Sequence, residues 1–346
     1  MNSWEIAKLS GVSRSTVSRV INNYDNVPDA TRKRVQEIID KHGYTPNNSA
    51  RNLVGKPSKI VGLFFIEEDE GGSDTIHSSP FYSEFLSYCA DELKTKGYQL
   101  LISVVKDFHD AENIKSIVDQ KLISGSIIMG DLLGDDLLYQ LSQRQTFTML
   151  VNQKETIAYD NIILLNTENY GGAYAAVEKL IKCGHVKIAH IAGNIEKISV
   201  KQRMNGYLDC LKDHGIAVNK NYIVHARMHK HDGGYHAMQT LLEENKGDYP
   251  TAVFATNDLM AVGAIKALKE MDISVPNVVS IFGYDNVEMS SFTIPSLSTV
   301  DTKVSEVVHL AVDHLIDAIE SGRVAQNILT QSYYKLIIRD SVKTIR

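Results

Sequence analysis

The stretch Ile6–Asn22, IAKLSGVSRSTVSRVIN, decides the fold of the first part of this chain, because its pattern predicts two short helices joined by a tight turn. Ala7 is small where two helices would cross, and Gly11 can take the positive φ that such a turn needs. Three valines recur at helical spacing and would pack the second helix onto the first: Val12, Val17 and Val20. The polar side chains of the second helix are then left facing outward: Arg14, Ser15, Thr16, Ser18, Arg19 and Asn22. Such groups suit base edges and phosphates in a major groove, although a helical hairpin with a solvated polar face has the same pattern.

The next thirty residues favour the first of these two interpretations. A third helix is predicted to start near Asp29, with Val35, Ile38 and Ile39 turned inward. Pro28 suits the entrance of that helix, and Asp29 could supply its cap. The run YTPNNSARNL follows at Tyr44–Leu53.

Together, three motifs resemble the DNA-binding headpiece of the lactose/galactose repressor (LacI/GalR) family of bacterial transcription regulators. They are GVSxxTVSRVINN from Gly11, TRKRV from Thr31 and GYTPNxxARxL from Gly43, in the family's order and at its spacing. The resemblance implies a headpiece over residues 1–58 that ends in a hinge helix at 46–54, with Leu53 wedged into the minor groove. The DNA-contacting residues that it implies are Arg14, Ser15, Thr16, Ser18, Arg19, Asn22, Asn47, Ala50, Arg51 and Leu53. The expected partner is double-stranded, palindromic operator DNA.

The distribution of charge supports a division between head and body. Residues 1–58 hold nine Lys or Arg against five Asp or Glu, a net charge of +4. The whole chain carries −6, so the remaining residues carry −10. A basic head on an acidic body indicates that only the head meets phosphate.

The body, residues 59–346, shows alternating strand and helix patterns, which are typical of parallel doubly wound sheets. Strand-like runs occur at Lys59–Ile66, Gln99–Val105, Gly125–Gly130, Phe147–Val151, Asn161–Leu165, Lys187–Ala192, Thr251–Ala255 and Val278–Phe282. Amphipathic helices are predicted near Phe81–Lys96, Tyr170–Lys182, Val200–His214, Gly233–Glu244 and Asp258–Met271. A body of this length is too long for one such sheet, so two α/β lobes are expected.

The family resemblance extends to the body and gives the fold class. It implies an all-α helix-turn-helix headpiece plus an α/β body of two doubly wound parallel-sheet lobes, like a periplasmic binding protein. Three chain crossings are expected near residues 160, 301 and 329. The first lobe would then comprise about 59–160 and 302–328, and the second about 161–301 and 329–346. Ligands in such sheets bind at the carboxyl ends of strands, which here line the cleft between the lobes.

Several classes of protein are disfavoured by the sequence. We find no GxSxG, GxxxxGK[ST], HExxH or GxGxxG motif, so an enzyme is not expected. The three cysteines lie far apart, and the loose trio His225, His229 and His231 lacks ligands at matching spacing, so neither a metal nor another cofactor is predicted. No apolar run reaches the length of a membrane span, and no signal sequence precedes Trp4, so a cytoplasmic location is expected.

Polar and aromatic residues near predicted strand ends form the candidate effector site. Arg203–Tyr207 matches the family's RxxGY, with Ser199 one helical turn earlier, and Asn257–Ala261 matches NDxxA. Asp285 lies in a GYDD-like segment, and Phe81 and Tyr82 follow a proline as in NPFF. The effector-binding candidates are Phe81, Tyr82, Asn152, Ser199, Arg203, His229, Asn257 and Asp285. An Arg fork donates to adjacent hydroxyls, a carboxylate accepts from them and aromatic rings cover an apolar sugar face, which favours a polyol. Asp258 is interpreted as a cap or structural group.

The sequence therefore predicts a homodimeric, effector-responsive repressor of a carbohydrate operon. No leucine heptads follow Arg339, so no coiled coil that would join two dimers is expected. A purine-type corepressor-dependent regulator and a non-regulatory sugar-binding protein are the alternatives. The acidic run Glu67–Asp74 could disfavour anionic effectors at the cleft mouth, or it could simply be solvated.

Overall fold

The chain folds as two compact units, Met1–Ser58 and Lys59–Arg346. The computed structural model describes residues 2–21, 23–44, 58–66, 80–106, 108–130, 135–153, 159–226, 231–331 and 333–345. The predicted hinge helix at 46–54 and the acidic run Glu67–Asp74 lie outside the described residues.

The described residues of the first unit form three helices, α1 Ser3–Ser10, α2 Arg14–Ile21 and α3 Asp29–His42. Its core joins all three helices and comprises Ile6, Ala7, Val17, Val20, Val27 and Val35, with Val12, Ile38 and Ile39 packed at its edge. The apolar positions expected from the sequence therefore pack together in this unit.

Specific residues mark both ends of α1 and the start of α3. Asn2 and Glu5 form a reciprocal capping box at the start of α1, and Gly11 ends α1 at φ 63°. α3 begins after Pro28, which makes no side-chain cap bond, and Asp29 is the first helical residue. Asp29 therefore does not take the cap position that the sequence suggested for it.

The second unit alternates strands and helices along most of its length. In chain order its elements are β1 Ile60–Ile66, α4 Pro80–Thr95, β2 Gln99–Val105, α5 Phe108–Asp119, β3 Gly125–Met129, α6 Asp135–Ser142, β4 Phe147–Val151, β5 Ile162–Thr167, α7 Asn169–Lys182, β6 Ile188–Ala192, α8 Ile198–Asp213, a 3-10 turn Lys220–Tyr222, β7 Ile223–His225, α9 His231–Glu244, β8 Ala252–Ala255, α10 Asp258–Glu270, β9 Ser280–Phe282, α11 Met289–Phe292, β10 Thr299–Asp301, α12 Val304–Ser321, β11 Ile328–Gln331 and β12 Lys335–Ile337.

The first lobe is built on a six-stranded parallel sheet in the order β11-β5-β4-β3-β1-β2. Both faces of the sheet are apolar: Leu63 and Phe65 of β1 face a core that includes α4 and α12. Phe64 and Ile66 of the same strand face a second core that includes α5 and α6. This alternation is why the strand is apolar throughout.

The second lobe is built on a four-stranded parallel sheet in the order β7-β6-β8-β9. One face packs against α9 and α10, and the other packs against α7 and α8. A short antiparallel pair of β10 with β12 completes this lobe beside β9. The two lobes together give the α/β body that the sequence predicted.

The chain passes between the lobes later than expected at the first of the three crossings. β5 pairs with β4 and so belongs to the first sheet, because its side chains fill the apolar cores on both sides of that sheet. The first crossing therefore follows Thr167 instead of residue 160. The second follows Asp301, near the expected position, and the third follows Gln331, because β11 pairs with β5.

Among the described residues, no helix is long and apolar enough to cross a membrane. All three cysteines are buried and unpaired with one another. Among the described helices α12 is the longest; it was not predicted from the sequence, and neither were α5 and α6.

Candidate functional site

The outer face of α2 is the candidate DNA-contacting surface. Arg14, Ser15 and Arg19 are exposed, and Thr16 and Ser18 are partly buried. Ser13 Oγ accepts from the Thr16 amide at 3.1 Å and lies 2.7 Å from Ser15 Oγ, so it caps the start of this helix. The surface is thus carried on a helix whose first turn is held by side-chain hydrogen bonds.

Five other DNA-binding candidates cannot be placed. Asn22, Asn47, Ala50, Arg51 and Leu53 lie outside the described residues. Their contacts with DNA remain predictions from the sequence.

In the body, Arg203 of α8 is the centre of the candidate effector site. Its Nε donates to Asn169 Oδ1 at 2.9 Å and its Nη1 donates to the Thr256 carbonyl at 2.6 Å. The guanidinium lies 3.6 Å above the ring of Tyr284. These contacts fix the plane of the guanidinium, and its remaining nitrogen, Nη2, contacts a carboxylate.

That carboxylate belongs to Asp285, whose Oδ1 lies 3.1 Å from Arg203 Nη2, with both side chains about seven-eighths buried. The contact is ionic: Oδ1 has no aligned hydrogen-bond donor among the described residues. Burial raises the pKa of Asp285 above its usual range, although Arg203 opposes the shift. Asp285 also has φ 105°, a strained conformation that is often retained at functional sites.

Asn257 and Asp258 make different contacts at the start of α10. Asn257, predicted to contact the effector, is the N-cap of α10 and accepts from the Met260 amide at 2.8 Å. Asp258 is fully buried, accepts from Thr299 Oγ1 at 2.5 Å and from the Val287 amide at 2.9 Å. Burial raises the pKa of Asp258 well above its usual range. Asp258 is therefore structural, while the cap belongs to its neighbour.

Asn152 lies at the end of β4, as predicted, but its amide oxygen is already engaged. It accepts from both the backbone amide and the hydroxyl of Thr167, each at 2.9 Å. Asn152 adopts φ 55°, which places its side chain across the end of the neighbouring strand β5. In this arrangement it joins two strand ends of the first lobe.

Phe81, Tyr82 and Ser199 lie at helix starts. Phe81 and Tyr82 are half-buried in the first turn of α4, with ring centroids 5.8 Å apart in an edge-to-face arrangement. Ser199 is half-buried in the first turn of α8, one turn before Arg203. His229 lies outside the described residues.

Two further residues at this site were not predicted. Thr256 is 1% exposed, and its Oγ1 has no hydrogen-bond partner among the described residues, although its carbonyl holds Arg203. Glu84, one turn after Phe81, lies near the acidic groups of the second lobe: burial and the carboxylates of Asp301 and Asp285 raise its pKa. A buried hydroxyl without a partner gives no signal in a sequence. Glu84 could have been found from its place on the helix that carries Phe81.

Two members of the histidine trio, His225 and His231, lie in the described part of the chain. His225 ends β7, and His231 begins α9, where its Nε2 lies 3.2 Å from the carboxylate of the next residue, Asp232. That contact is local to the start of the helix.

Two family models match the chain. "Bacterial regulatory proteins, lacI family" covers residues 4–47. "Periplasmic binding protein-like domain" covers residues 177–342. The first match covers the described helices of the first unit, and the second covers most of the second lobe together with α12 and β11 of the first lobe.

Relatives and solved structures extend the similarity to the full chain. The HTH-type transcriptional repressor PurR of Haemophilus influenzae (strain PittEE) is 30% identical over 99% of this chain and 98% of its own. The HTH-type transcriptional regulator AscG of Escherichia coli (strain K12) is 31% identical over 92% of each chain. A structure described as transcriptional regulator CelR-cellobiose complex superposes with a TM-score of 0.74 at 25% identity, covering 99% of both chains.

A helix-turn-helix unit followed by a two-lobed body of parallel sheets defines a DNA-binding transcriptional regulator, which is not an enzyme. The chain belongs to the LacI family, as the sequence motifs predicted, and is a transcriptional repressor of that family.

Proposed function

We propose that this repressor is released from a palindromic operator when a small, uncharged sugar binds between the lobes of its body. Arg203 and Asp285 carry the proposal, because a guanidinium fork and a carboxylate meet at 3.1 Å in a largely buried place. The Asp285 oxygen in that contact and the Thr256 hydroxyl have no hydrogen-bond partner in the described residues. Neighbouring sugar hydroxyls both donate and accept, so they can supply partners to the Asp285 oxygen and the Thr256 hydroxyl.

The charges around the site favour an uncharged effector. The positive charge of Arg203 is matched by Asp285, and burial together with the charges of Asp301 and Asp285 raises the pKa of Glu84 on the first lobe. A phosphate or carboxylate group on the effector would meet at least one uncompensated carboxylate in partly buried surroundings. The similarity to a regulator solved with cellobiose supports the choice of a sugar.

A purine-like corepressor is the second candidate. The edge-to-face rings of Phe81 and Tyr82 at the start of α4 would suit a flat heteroaromatic ring as well as a sugar face. Such an effector would strengthen operator binding instead of weakening it.

We propose a cytoplasmic homodimer for the assembled protein. Near the end of the second sheet, three large apolar side chains are exposed: Met289 by 50%, Phe292 by 75% and Ile294 by 89%. Adjacent exposed apolar side chains of this size are typical of protein–protein contacts. A two-fold axis in the protein would match a palindromic operator.

The experiment is a thermal-shift screen of the full-length protein with cellobiose, glucose, glucose 6-phosphate and hypoxanthine. A neutral sugar should raise the melting temperature, and glucose 6-phosphate should have a much smaller effect. Operator binding is then repeated with the compound that binds. Weaker binding supports the sugar-induced repressor, and stronger binding with hypoxanthine would replace it by the corepressor.

A further inference from the structure

Asn169 connects the Arg203 guanidinium to the first chain crossing between the lobes. It is the first residue of α7, two residues after β5 ends, and it is only 1% exposed. Its Oδ1 accepts from Arg203 Nε at 2.9 Å, while its Nδ2 donates to Thr167 Oγ1 at 3.0 Å. One amide group therefore contacts both the effector-site arginine and the last residue of the first lobe's strand.

The connection continues into the first lobe. Thr167 Oγ1 donates to Asn152 Oδ1 at 2.9 Å, and the Thr167 amide donates to the same oxygen at 2.9 Å. Because an amide nitrogen can only donate, the Thr167 hydroxyl oxygen accepts from Asn169 Nδ2, and the hydroxyl donates its hydrogen bond to Asn152 Oδ1. The hydrogen bonds thus run in one direction from the second lobe to the end of β4, and bonds in such a chain polarise one another.

Asp285, the other partner of the ion pair, is hydrogen-bonded through its backbone to the strand that precedes the second crossing. The Asp285 amide donates to the Val300 carbonyl at 2.8 Å, and Asp285 pairs with Asp301, the last residue of β10. Arg203 and Asp285 are therefore each attached to a different crossing, one through the Asn169 side chain and the other through the backbone.

We propose that Asn169 is a positioning residue: it holds Arg203 Nε and transmits a displacement of the guanidinium to Thr167 and the first crossing. The proposal rests on the proposed function for the statement that an effector is what moves Arg203. Asparagine fits this role because its side chain accepts and donates at the same time, whereas ionised aspartate would only accept.

The test uses hydrogen–deuterium exchange of the full-length protein, followed in peptides covering residues 162–172, without sugar or DNA. Arg203→Met removes the donor to Asn169, because methionine carries no N–H group, and should speed exchange of the Thr167 segment about fivefold, the factor that corresponds to roughly 1 kcal/mol for one hydrogen bond. Asn169→Ala should speed it at least as much. When Asn169 is already alanine, adding Arg203→Met should cause no further change.

Two more variants keep the test decisive. Thr167→Val removes the hydroxyl at nearly constant shape and leaves the backbone bonds of residue 167 to Asn152 and Asn169, so Arg203→Met should have a smaller effect on peptides covering 147–153 in that background. The matched control is Asn245→Ala, another buried asparagine whose Nδ2 donates to two carbonyls in the second lobe. In that background Arg203→Met should keep its fivefold effect.

The proposal is overturned if the effects of Arg203→Met and Asn169→Ala multiply, or if Arg203→Met leaves the 162–172 segment unchanged. Neither result depends on the identity of the effector. Failure of the sugar hypothesis would therefore be seen in the thermal-shift screen and not here.

Discussion

Arg203 Nη2 lies 3.1 Å from Asp285 Oδ1, although 82 residues separate the two positions in sequence and only the fold brings them together. The contact is made in largely buried surroundings without an aligned hydrogen bond. When a ligand binds, hydrogen bonds from the ligand to Arg203 and Asp285 can replace part of the attraction between the two charges. The first prediction follows from that property.

Arg203→Ala should abolish effector binding at ordinary concentrations, because removing one partner of a buried charged pair typically costs about 2–5 kcal/mol. Calorimetry with the compound found in the thermal-shift screen measures the loss. Lys201→Ala, an exposed change on the same helix, is the matched control and should bind normally. Wild-type affinity in the Arg203 variant would place the effector elsewhere.

Asn257→Ala should lower the free energy of unfolding by about 1 kcal/mol, because the Met260 amide loses its acceptor at the start of α10. Asn257→Ser should keep most of that stability, since serine is also a good cap. Urea unfolding compares the three proteins. If the serine variant is stable but has lost effector affinity, Asn257 contacts the effector in addition to capping the helix.

The raised pKa of Asp258 predicts how the stability of the protein depends on pH. Its pKa is raised in the folded protein, so between the unfolded and folded pKa values the folded state binds more protons than the unfolded state. Its contribution to stability therefore increases as the pH falls through the folded pKa. The difference in unfolding free energy between wild type and Asp258→Asn should shift in favour of wild type from pH 7.5 to pH 5. A difference that is constant, or that shifts the other way, contradicts the buried carboxyl described above.

Arg19 is exposed on α2 and is expected to meet DNA. If it contacts a phosphate, Arg19→Ala should weaken binding to specific and random DNA alike and lower the slope of log affinity against log salt by about 1. If it contacts a base edge, the loss should be confined to the operator. Arg34→Ala, on the exposed side of α3, is the control within the same unit. Unchanged affinity for both DNAs would remove Arg19 from the interface.

Ile294 is 89% exposed beside Phe292, and the proposed dimer would cover both. Ile294→Asp should shift the protein from dimer to monomer in light scattering at micromolar concentration, because a buried unpaired carboxylate is costly. Val186→Asp, another exposed apolar position, should leave the dimer intact. A dimer that survives the Ile294 change uses another face.

Motifs made of neighbouring residues were predictable, whereas contacts between distant residues were not. The RxxGY and GYDD-like segments identified Arg203 and Asp285 as candidates, and the strand patterns placed Asp285 near a strand end. Asn169 is an ordinary helix-start residue in sequence, and its partner Arg203 lies 34 residues away. Asn257 and Asp258 are both good capping residues, so local pattern could not decide which of them caps α10.

The lobe boundaries show the same limit. The strand at 161–165 was recognised, but its sheet could not be inferred, because a strand that is apolar on both faces fits either lobe. The partner strand β4 settles the question through pairing. Helix α12 is strongly apolar on one side and was nevertheless missed, because it follows the second crossing instead of a strand of its own sheet.

The loop that carries Asp285 has a consequence for engineering this protein as a biosensor. A Cβ added at Gly283 would lie 2.2 Å from Asp258 Oδ1, and one at Gly172 would lie 2.3 Å from the Tyr284 hydroxyl. The second lobe's side of the site therefore leaves little room for new side chains. Libraries intended to change the effector should instead vary Phe81, Tyr82 and Glu84, which project from one helix of the opposite lobe and whose partial exposure allows substitution.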